Sequence, residues 1–584
     1  MRSSPFRLPR KTPFGIGENV AEWVTGLTKL DDIYAQRPIN CSTDEFLRYA
    51  LESLNINYKI ESGQLNVIPN SGATLIIANH PLGGVEGIIL AELLLMIRPD
   101  VKVLANQYLE RVPELASLFI GVDTLDQDKT KKVNAQALRQ ANQHLSQQGL
   151  LLVFPAGEVS SPAKGNPGMV QDKIWHRSVA SLIKRHQATT VPIFIHGYNS
   201  KSFYRAGKIH PLLRTLMLGR ELLNKSQLSI PLSIGEPIRY KEISKLDAPQ
   251  TMQYLRLNTY LLRHRTQQKK VKLLSNTIVE PISCAKPAAL LKAELESLPS
   301  TALLINSGDY SVYCTEHNKI PHLMHEIGRI REINFRAVGE GTNQSIDIDE
   351  FDRDYLQLFV WDNIKQRLVG AYRLGLVDRI VEKRGINGLY SRTLFEYKQQ
   401  FIDRLGANNT IEMGRSVVAA EYQKSMSALL LLWKGIATFV SRNPQYTHLF
   451  GPVSISDEYN DTAKQLLTET LEIHHSDQES ANFVKPVNPL TKDDVHWQSE
   501  LLTSLFDIQL LSRVIARVDS GKSVPVLLRQ YLGLHGKLVC FNVDPNFNDA
   551  IDGLIVVNLT SVPEKTLARY MTLEKAKAYL ANHR

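Results

Sequence analysis

Asn79-His80-Pro81-Leu82-Gly83-Gly84-Val85-Glu86-Gly87 sets an imidazole and a carboxylate in one glycine-rich turn. A histidine so placed can take a proton from a hydroxyl if a carboxylate fixes its tautomer and stabilises its cation. His80 and Glu86 are therefore a candidate general base and its partner. The competing reading is a plain turn in which His80 only hydrogen-bonds backbone. Two more polar corners favour the chemical reading. Leu150-Leu151-Leu152-Val153-Phe154 runs into Pro155-Ala156-Gly157-Glu158-Val159-Ser160, and Val191-Pro192-Ile193-Phe194-Ile195 delivers His196-Gly197-Tyr198-Asn199-Ser200.

The elements that must position these groups are short apolar strands and a helix. Thr74-Leu75-Ile76-Ile77-Ala78 reads as a buried strand, and Ile88 to Ile97 as a buried helix ending at Pro99. In open α/β sheets ligands lie beyond the carboxyl ends of the strands. The three corners are accordingly expected to converge on one site.

Asn79 to Glu86, Phe154 to Ser160 and Val191 to Ile195 resemble the three blocks of the glycerolipid acyltransferase family, whose members move an acyl chain from a thioester to a lipid hydroxyl. The resemblance implies His80 and Glu86 as catalytic residues and Asn79, Gly83, Gly84, Phe154, Pro155, Gly157, Glu158 and Ser160 as substrate-binding ones. Two departures stand out. The acid is a glutamate one position later than the family's aspartate, and Ala156 and Val159 replace a glutamate and an arginine. That arginine would grip a phosphate monoester, because a guanidinium fork matches phosphate oxygens. Its absence argues against a lysophosphatidate acceptor, and both departures resemble those of the haemolysin-like and ornithine-lipid branch.

At 584 residues the chain is too long for one typical core, so two or more units are expected. Apolar content of 43% and charged content of 22% are those of a folded protein. A net charge of +9 suits an anionic membrane, an acidic protein or nucleic acid. Without zinc-finger, RNP-like or helix-turn-helix patterns, no nucleic-acid partner is expected. Cys41, Cys284, Cys314 and Cys540 stand far apart, which suggests neither a disulfide framework nor a zinc site. His322-Leu323-Met324-His325-Glu326 is not the HExxH pattern, so it reads as a helix face and no metal is expected. No apolar run is long enough to span a bilayer. Residues 1–40, with Arg2, Arg7, Arg10 and Lys11 ahead of the first acid, form a basic segment suited to peripheral membrane attachment, the alternative being an ordinary solvated tail. The O-acyltransferase-like domain is expected at 41–240. A helical, basic connector with Arg263-His264-Arg265 and Lys269-Lys270-Val271-Lys272 follows at 241–295, and a second domain at 296–584.

In that second domain Asp347-Ile348-Asp349-Glu350-Phe351-Asp352 precedes a predicted hairpin, Tyr355 to Trp361 and Arg367 to Leu374. Thr410 to Val418 reads as a strand displaying an acid and a base, followed by an amphipathic helix with Trp433. An amine must lose a proton before it attacks a thioester, so Asp349, Asp352 and Glu412 are candidate bases or ammonium anchors. Arg331, Arg373 and Arg415 are candidates for holding the acceptor carboxylate. The alternative is a buried structural ion network.

Arg331 to Phe335, Asp349 to Asp352, Gly370 to Leu374, Glu412 to Arg415 and Gly451 to Ser456, with Tyr531 to Leu534 and Asp544 to Phe547, resemble the GNAT-like N-acyltransferases that make lyso-ornithine lipid. The resemblance covers about Leu303 to Leu559. Together the halves resemble bifunctional ornithine lipid synthases: an α/β glycerolipid-acyltransferase-like domain followed by a GNAT-like α+β domain. That implies N-acylation of ornithine with a 3-hydroxyacyl group from acyl carrier protein, then O-acylation of the lyso-lipid. It implies no cofactor beyond the acyl-carrier-protein substrate. The implied place of action is peripheral, at the cytoplasmic face of a bacterial inner membrane. Acylation of glycine, serine or a lysophospholipid, or a non-catalytic haemolysin-like membrane-binding role, are the alternatives.

Overall fold

The computed structural model of the chain describes residues 4–8, 16–122, 127–163, 166–264, 279–491 and 497–583. Arg2, Arg10 and Lys11 of the basic amino-terminal segment, and Arg265, Lys269, Lys270 and Lys272 of the expected connector, lie outside the described residues. The chain divides into two compact units, residues 1–268 with 496–518 and residues 269–495 with 519–584. An α/β unit is followed by an α+β unit, in the expected order.

The first unit contains β1 (Asn57–Ser62), β2 (Thr74–Ala78), β3 (Val101–Asn106), β4 (Phe119–Val122), β5 (Leu150–Val153), the small hairpin β6 (Ser161–Ala163) and β7 (Asn166–Gln171), β8 (Thr189–Ile195) and β9 (Ser229–Ile234). Seven of them form a sheet of order β1-β9-β8-β2-β5-β3-β4, parallel at every pair except β8 with β9. Parallel sheets are covered on both faces, so every residue of β2 and β5 is buried and neither strand alternates. Ile77 sits beside Val153 on one side and Pro192 on the other. Strands β5, β2 and β8 therefore end together, and their corners leave one edge of the sheet. After β2 the helix Val85–Leu95 begins, with Glu86 in its first turn. Gly83 has φ +92, a left-handed backbone conformation that favours glycine.

The stretch 241–295 is not one connector. The helix Ala248–Leu261 opens with a capping box between Asp247 and Gln250, buries ten residues and packs on β8, so it belongs to the first unit's core. Residues 497–518, expected in the second domain, also join the first unit. The Arg517 guanidinium donates to Tyr254 Oη and Asn258 Oδ1, both at 3.0 Å, and to Glu242 Oε2 at 2.9 Å. Periodicity cannot separate a buried helix from a linking one, because only the packing partner distinguishes them.

The second unit carries β10 (Leu303–Ser307), β11 (Tyr310–Glu316), β12 (Leu356–Asp362), β13 (Arg367–Leu376), β14 (Phe395–Tyr397), β15 (Thr410–Val418), β16 (His448–Ile455), β17 (Val484–Pro486), β18 (Lys537–Asp544) and β19 (Ala550–Asn558). Eight of these form a sheet of order β10-β11-β12-β13-β15-β16-β19-β18, while β14 and β17 pair separately. The predicted hairpin is β12 and β13, closed with Asp362 opposite Arg367. The sheet is antiparallel except at β15 and β16, which pair in parallel for three residues only, from Thr410 with His448 to Glu412 with Phe450. Beyond that point β15 continues on β13 and β16 on β19, so the sheet parts between them. Gly451 marks the parting: a Cβ there would lie 2.1 Å from Met413 O. Gly451→Ala is expected to destabilise the second unit by about 3 kcal/mol or more, since main chain cannot yield as a side chain does. Denaturant unfolding checks this; an unchanged midpoint would show that the strands part freely.

Candidate active sites

In the first unit His80 Nδ1 lies 2.9 Å from Glu86 Oε1. Glu86, wholly buried, also accepts the N–H groups of Leu82 and Gly83 at 2.9 Å and of Gly84 at 3.0 Å. The turn that follows β2 thus serves to fix one carboxylate, and Gly83 and Gly84 act through their backbone. Burial raises the Glu86 carboxyl, but His80 and then backbone N–H groups, that of Gly83 among them, more than offset it, and its pKa falls below the usual value. Burial likewise disfavours a charged His80, yet the Glu86 carboxylate prevails and raises the imidazole above its ordinary value. The His80 ring rests on Phe154, with centroids 4.6 Å apart.

The other corners fasten this one. Ser160 N–H donates to His80 O at 2.8 Å, and Asn199 Nδ2 donates to the carbonyls of Pro81 and Leu82 at 3.2 Å. Asn79 is buried and clamps β2 to β8, donating to Ile195 O at 2.9 Å and accepting from Ile195 N at 2.7 Å. Asn79 and Ser160, expected to bind substrate, are 3% and 1% exposed and satisfied internally, so they position His80. Pro155 is buried, and Gly157 makes the exposed turn at φ +67. Glu158 is half-buried between Lys173 Nζ at 2.7 Å and Arg214 Nη2 at 2.8 Å. His196 turns aside to Ser233 Oγ at 3.0 Å.

Sequence reasoning missed Asp172. Its Oδ1 accepts from the His80 N–H at 3.2 Å and from the Ser160 hydroxyl, and its Oδ2 from Trp175 Nε1 at 2.9 Å. Its own N–H donates to Tyr260 Oη at 2.7 Å, from the helix read as connector. No spacing in the chain announces these partners.

In the second unit a cleft of about 350 Å³ opens where β15 and β16 part, lined by Tyr390, Arg415, Ser454, Asp544, Asp552 and Glu340 among others. Of the three predicted arginines, Arg415 alone lines it. Arg415 has φ +48 in a strand whose pairing with β13 shifts beside it, and its guanidinium lies over the Tyr390 and Phe547 rings at 5.1 and 5.3 Å. A left-handed residue at an irregularity of the ladder re-aims its side chain, here toward the cleft.

Arg331 and Arg373 are fully buried. Arg331 donates to Asp352 Oδ1 at 2.8 Å and Gln357 Oε1 at 2.9 Å, and Arg373 to Asp349 Oδ1 at 2.6 Å. Against the cost of burial, the two guanidinium groups hold Asp352 well below the usual carboxylate range. Glu412, 1% exposed, accepts from the Tyr355 hydroxyl, from Tyr390 N at 3.0 Å and from Ser391 N at 2.7 Å. Asp349 caps the turn Glu350–Arg353 and faces Arg415 at 3.5 Å. None of the candidate bases Asp349, Asp352 and Glu412 is among the residues lining the cleft, because their bonds hold neighbouring backbone and arginines. Glu412→Ala leaves the buried Tyr355 hydroxyl and Ser391 N–H without an acceptor, while Tyr390 N–H keeps Tyr355 Oη at 2.9 Å, and is expected to cost about 3 kcal/mol. The loss of N-acyl transfer should then track unfolding; full stability with lost activity would restore Glu412 to the chemistry.

The carboxyls facing the cleft are Glu340, Glu458, Asp544 and Asp552. Burial and then the neighbouring Asp552 push Glu340 up to about 7. Burial and Asp544 push Asp552 up to about 7, although the Ser454 hydroxyl donates to it at 2.9 Å. Asp544 and Ser454 fall in stretches quoted from the sequence, whereas Glu340 and Asp552 carried no signal. Among the described residues no group of histidine, cysteine and acidic side chains is placed to hold a metal ion.

Residues 23–268 match the acyltransferase family model and residues 330–434 the acetyltransferase (GNAT) domain model. Over 313 residues, 50% of this chain and 89% of the relative, the chain is 31% identical to glycine N(alpha)-acyltransferase of Bacteroides thetaiotaomicron. It is 28% identical over 313 residues to the Phocaeicola vulgatus protein of the same name, 92% of which is covered. Over 213 residues, 35% of this chain and 72% of the relative, it is 28% identical to lyso-glycine lipid O-acyltransferase of Phocaeicola vulgatus.

Proposed function

Because this chain belongs to the family of acyltransferases that acylate amino acids and their lyso-lipids, with an acyltransferase domain and a GNAT domain in one polypeptide, we propose that it builds a two-chain amino-acid lipid. The second unit transfers a 3-hydroxyacyl group from acyl carrier protein to the α-amine of ornithine. The first unit then acylates the new hydroxyl. The order follows from chemistry, since the free amino acid has no such hydroxyl until the first chain is attached.

The observation that carries the acceptor reading is the surplus of acid in the cleft: Glu340, Glu458, Asp544 and Asp552 against Arg415 and Lys522. Burial and then neighbouring acids push Glu340 and Asp552 upward, and an ammonium group bound there offsets both. Ornithine offers a second ammonium for that purpose, and Arg415 suits its carboxylate. Asp552 takes a proton of the α-amine as nitrogen attacks the thioester carbon; the C–S bond breaks, and the carrier thiolate leaves and takes that proton back as a thiol. The parted edges of β15 and β16 give the thioester arm a backbone-lined slot. In the first unit the 3-hydroxyl oxygen attacks a second thioester, His80 Nε2 takes its proton, and the imidazolium returns it to the leaving thiolate.

The names of the relatives favour glycine as a second reading. Purified full-length protein with 3-hydroxyacyl-carrier protein and either amino acid separates the two. Amide formation with ornithine is expected in mass spectra; amide with glycine alone would establish the second reading.

No helix among the described residues is long and apolar enough to cross a membrane. A peripheral position at the cytoplasmic face of the bacterial inner membrane is supported by Val20, Trp23 and Val24, exposed at 58%, 76% and 48% along the helix Ile16–Val24. The net charge of +9 suits anionic lipid and an acidic carrier protein alike.

A further inference from the structure

We propose that Arg214, assisted by Lys173, binds the free carboxylate of the N-acylated amino acid while His80 deprotonates its hydroxyl; this rests on the reading above that the first unit acylates such a lyso-lipid. The corner after β5 supplies no cation of its own, because position 159 is a buried valine. Arg214 comes instead from the helix Pro211–Leu216. Its Nη2 lies 2.8 Å from Glu158 Oε2, and its Nη1 donates to Ser161 Oγ at 3.1 Å. Ser161 follows Ser160, whose N–H donates to the His80 carbonyl, so the guanidinium stands at the same sheet edge as the imidazole. The Arg214 charge is felt at His80, where it opposes protonation.

Lys173 Nζ lies 2.7 Å from the other oxygen of Glu158. Two cations thus share one carboxylate, leaving one positive charge over, and the Arg214 side chain keeps 18% of its surface open. That arrangement calls for one further anion of single charge. A phosphate dianion would exceed that single charge and meet twice the repulsion from Glu158, whereas a carboxylate matches it and can accept from the guanidinium. In an N-(3-hydroxyacyl) amino acid, an amide and three carbons separate that carboxylate from the attacking hydroxyl. Neighbouring cation and base can therefore hold both ends. The buried acid-rich cleft of the second unit serves the free amino acid, and the first unit would recognise the same carboxylate independently.

The test uses the full-length protein, an acyl-carrier-protein donor, and N-(3-hydroxypalmitoyl)ornithine as free acid and as carboxamide. The wild-type protein is expected to prefer the acid in kcat/KM by at least about tenfold, the worth of a charge-assisted bond. The difference should lie mainly in KM. In Arg214→Gln that preference should fall to near unity, and Arg214→Lys, which keeps the charge but loses the fork, should fall between. An undiminished preference in Arg214→Gln, or none in the wild type, overturns the assignment. If Arg214→Gln is inactive on both acceptors, the preference of Arg214→Lys decides. If the wild type acylates neither acceptor, nor N-(3-hydroxypalmitoyl)glycine, the reading of the first unit falls as well, and the two failures are distinguishable.

Discussion

His80→Ala should halt the second acylation and leave the first running, so that single-chain N-acyl product accumulates. The expected loss in O-acyl transfer is about 10²- to 10⁴-fold, the usual worth of a positioned base. The reason is geometric. Glu86 Oε1 lies 2.9 Å from His80 Nδ1 and Glu86 is itself held by three backbone N–H groups, so the carboxylate is fixed beside one ring nitrogen and leaves Nε2 for the substrate. A base must be neutral to accept a proton. The Glu86 carboxylate, outweighing burial, raises His80 above the ordinary histidine value. O-acyl transfer should therefore decline as pH falls through a point above 6.5, and Glu86→Gln should move that limb downward. Lipids extracted after incubation with acyl-carrier protein and amino acid report both steps at once. Undiminished two-chain product from His80→Ala would remove the imidazole from the mechanism.

Asp552→Asn should suppress N-acyl transfer about 10²- to 10⁴-fold and, because the second step needs the first, abolish both products. Asp552 is 5% exposed, receives the Ser454 hydroxyl and faces Arg415 across the cleft. Burial and Asp544 push it up to about 7. A carboxyl with that pKa is mostly protonated at pH 6 and cannot accept; it is ionised by pH 8. Under limiting amine, kcat/KM for the amide step should rise with pH through about 7 and then level. Glu340, also near 7, titrates with it, so the limb belongs to the pair. In Asp552→Asn the limb should shift or vanish with the rate. If rate and limb survive there and are lost in Glu340→Gln, the proton goes to Glu340.

His80 and Glu86 were legible because a single turn contains both, and local geometry follows from glycine placement and a strand ending. The buried strands at 74–78, 150–153 and 189–195 were equally readable from their apolar runs, as were β12, β13 and β15. Function was less evenly legible. Charges along 347–352 and at 412 looked like chemistry, yet Asp352 and Glu412 are consumed in holding arginines and backbone. A charge in sequence does not disclose whether its partner is a substrate or another side chain.

The sequence by itself determined the order of the two units, the pairing of His80 with Glu86, and the sheet edge they leave from, since each depends on residues close along the chain. Only the tertiary structure decided the rest. The cleft draws Glu340, Arg415, Lys522 and Asp552 from separated elements, and Arg214 reaches Glu158 from a helix far along the chain. Residues 497–518 join the first unit because their partners, Glu242, Tyr254 and Asn258, are there. Burial and long-range pairing are properties of the packed chain, and no spacing along the backbone encodes which distant side chains will share a low-dielectric site.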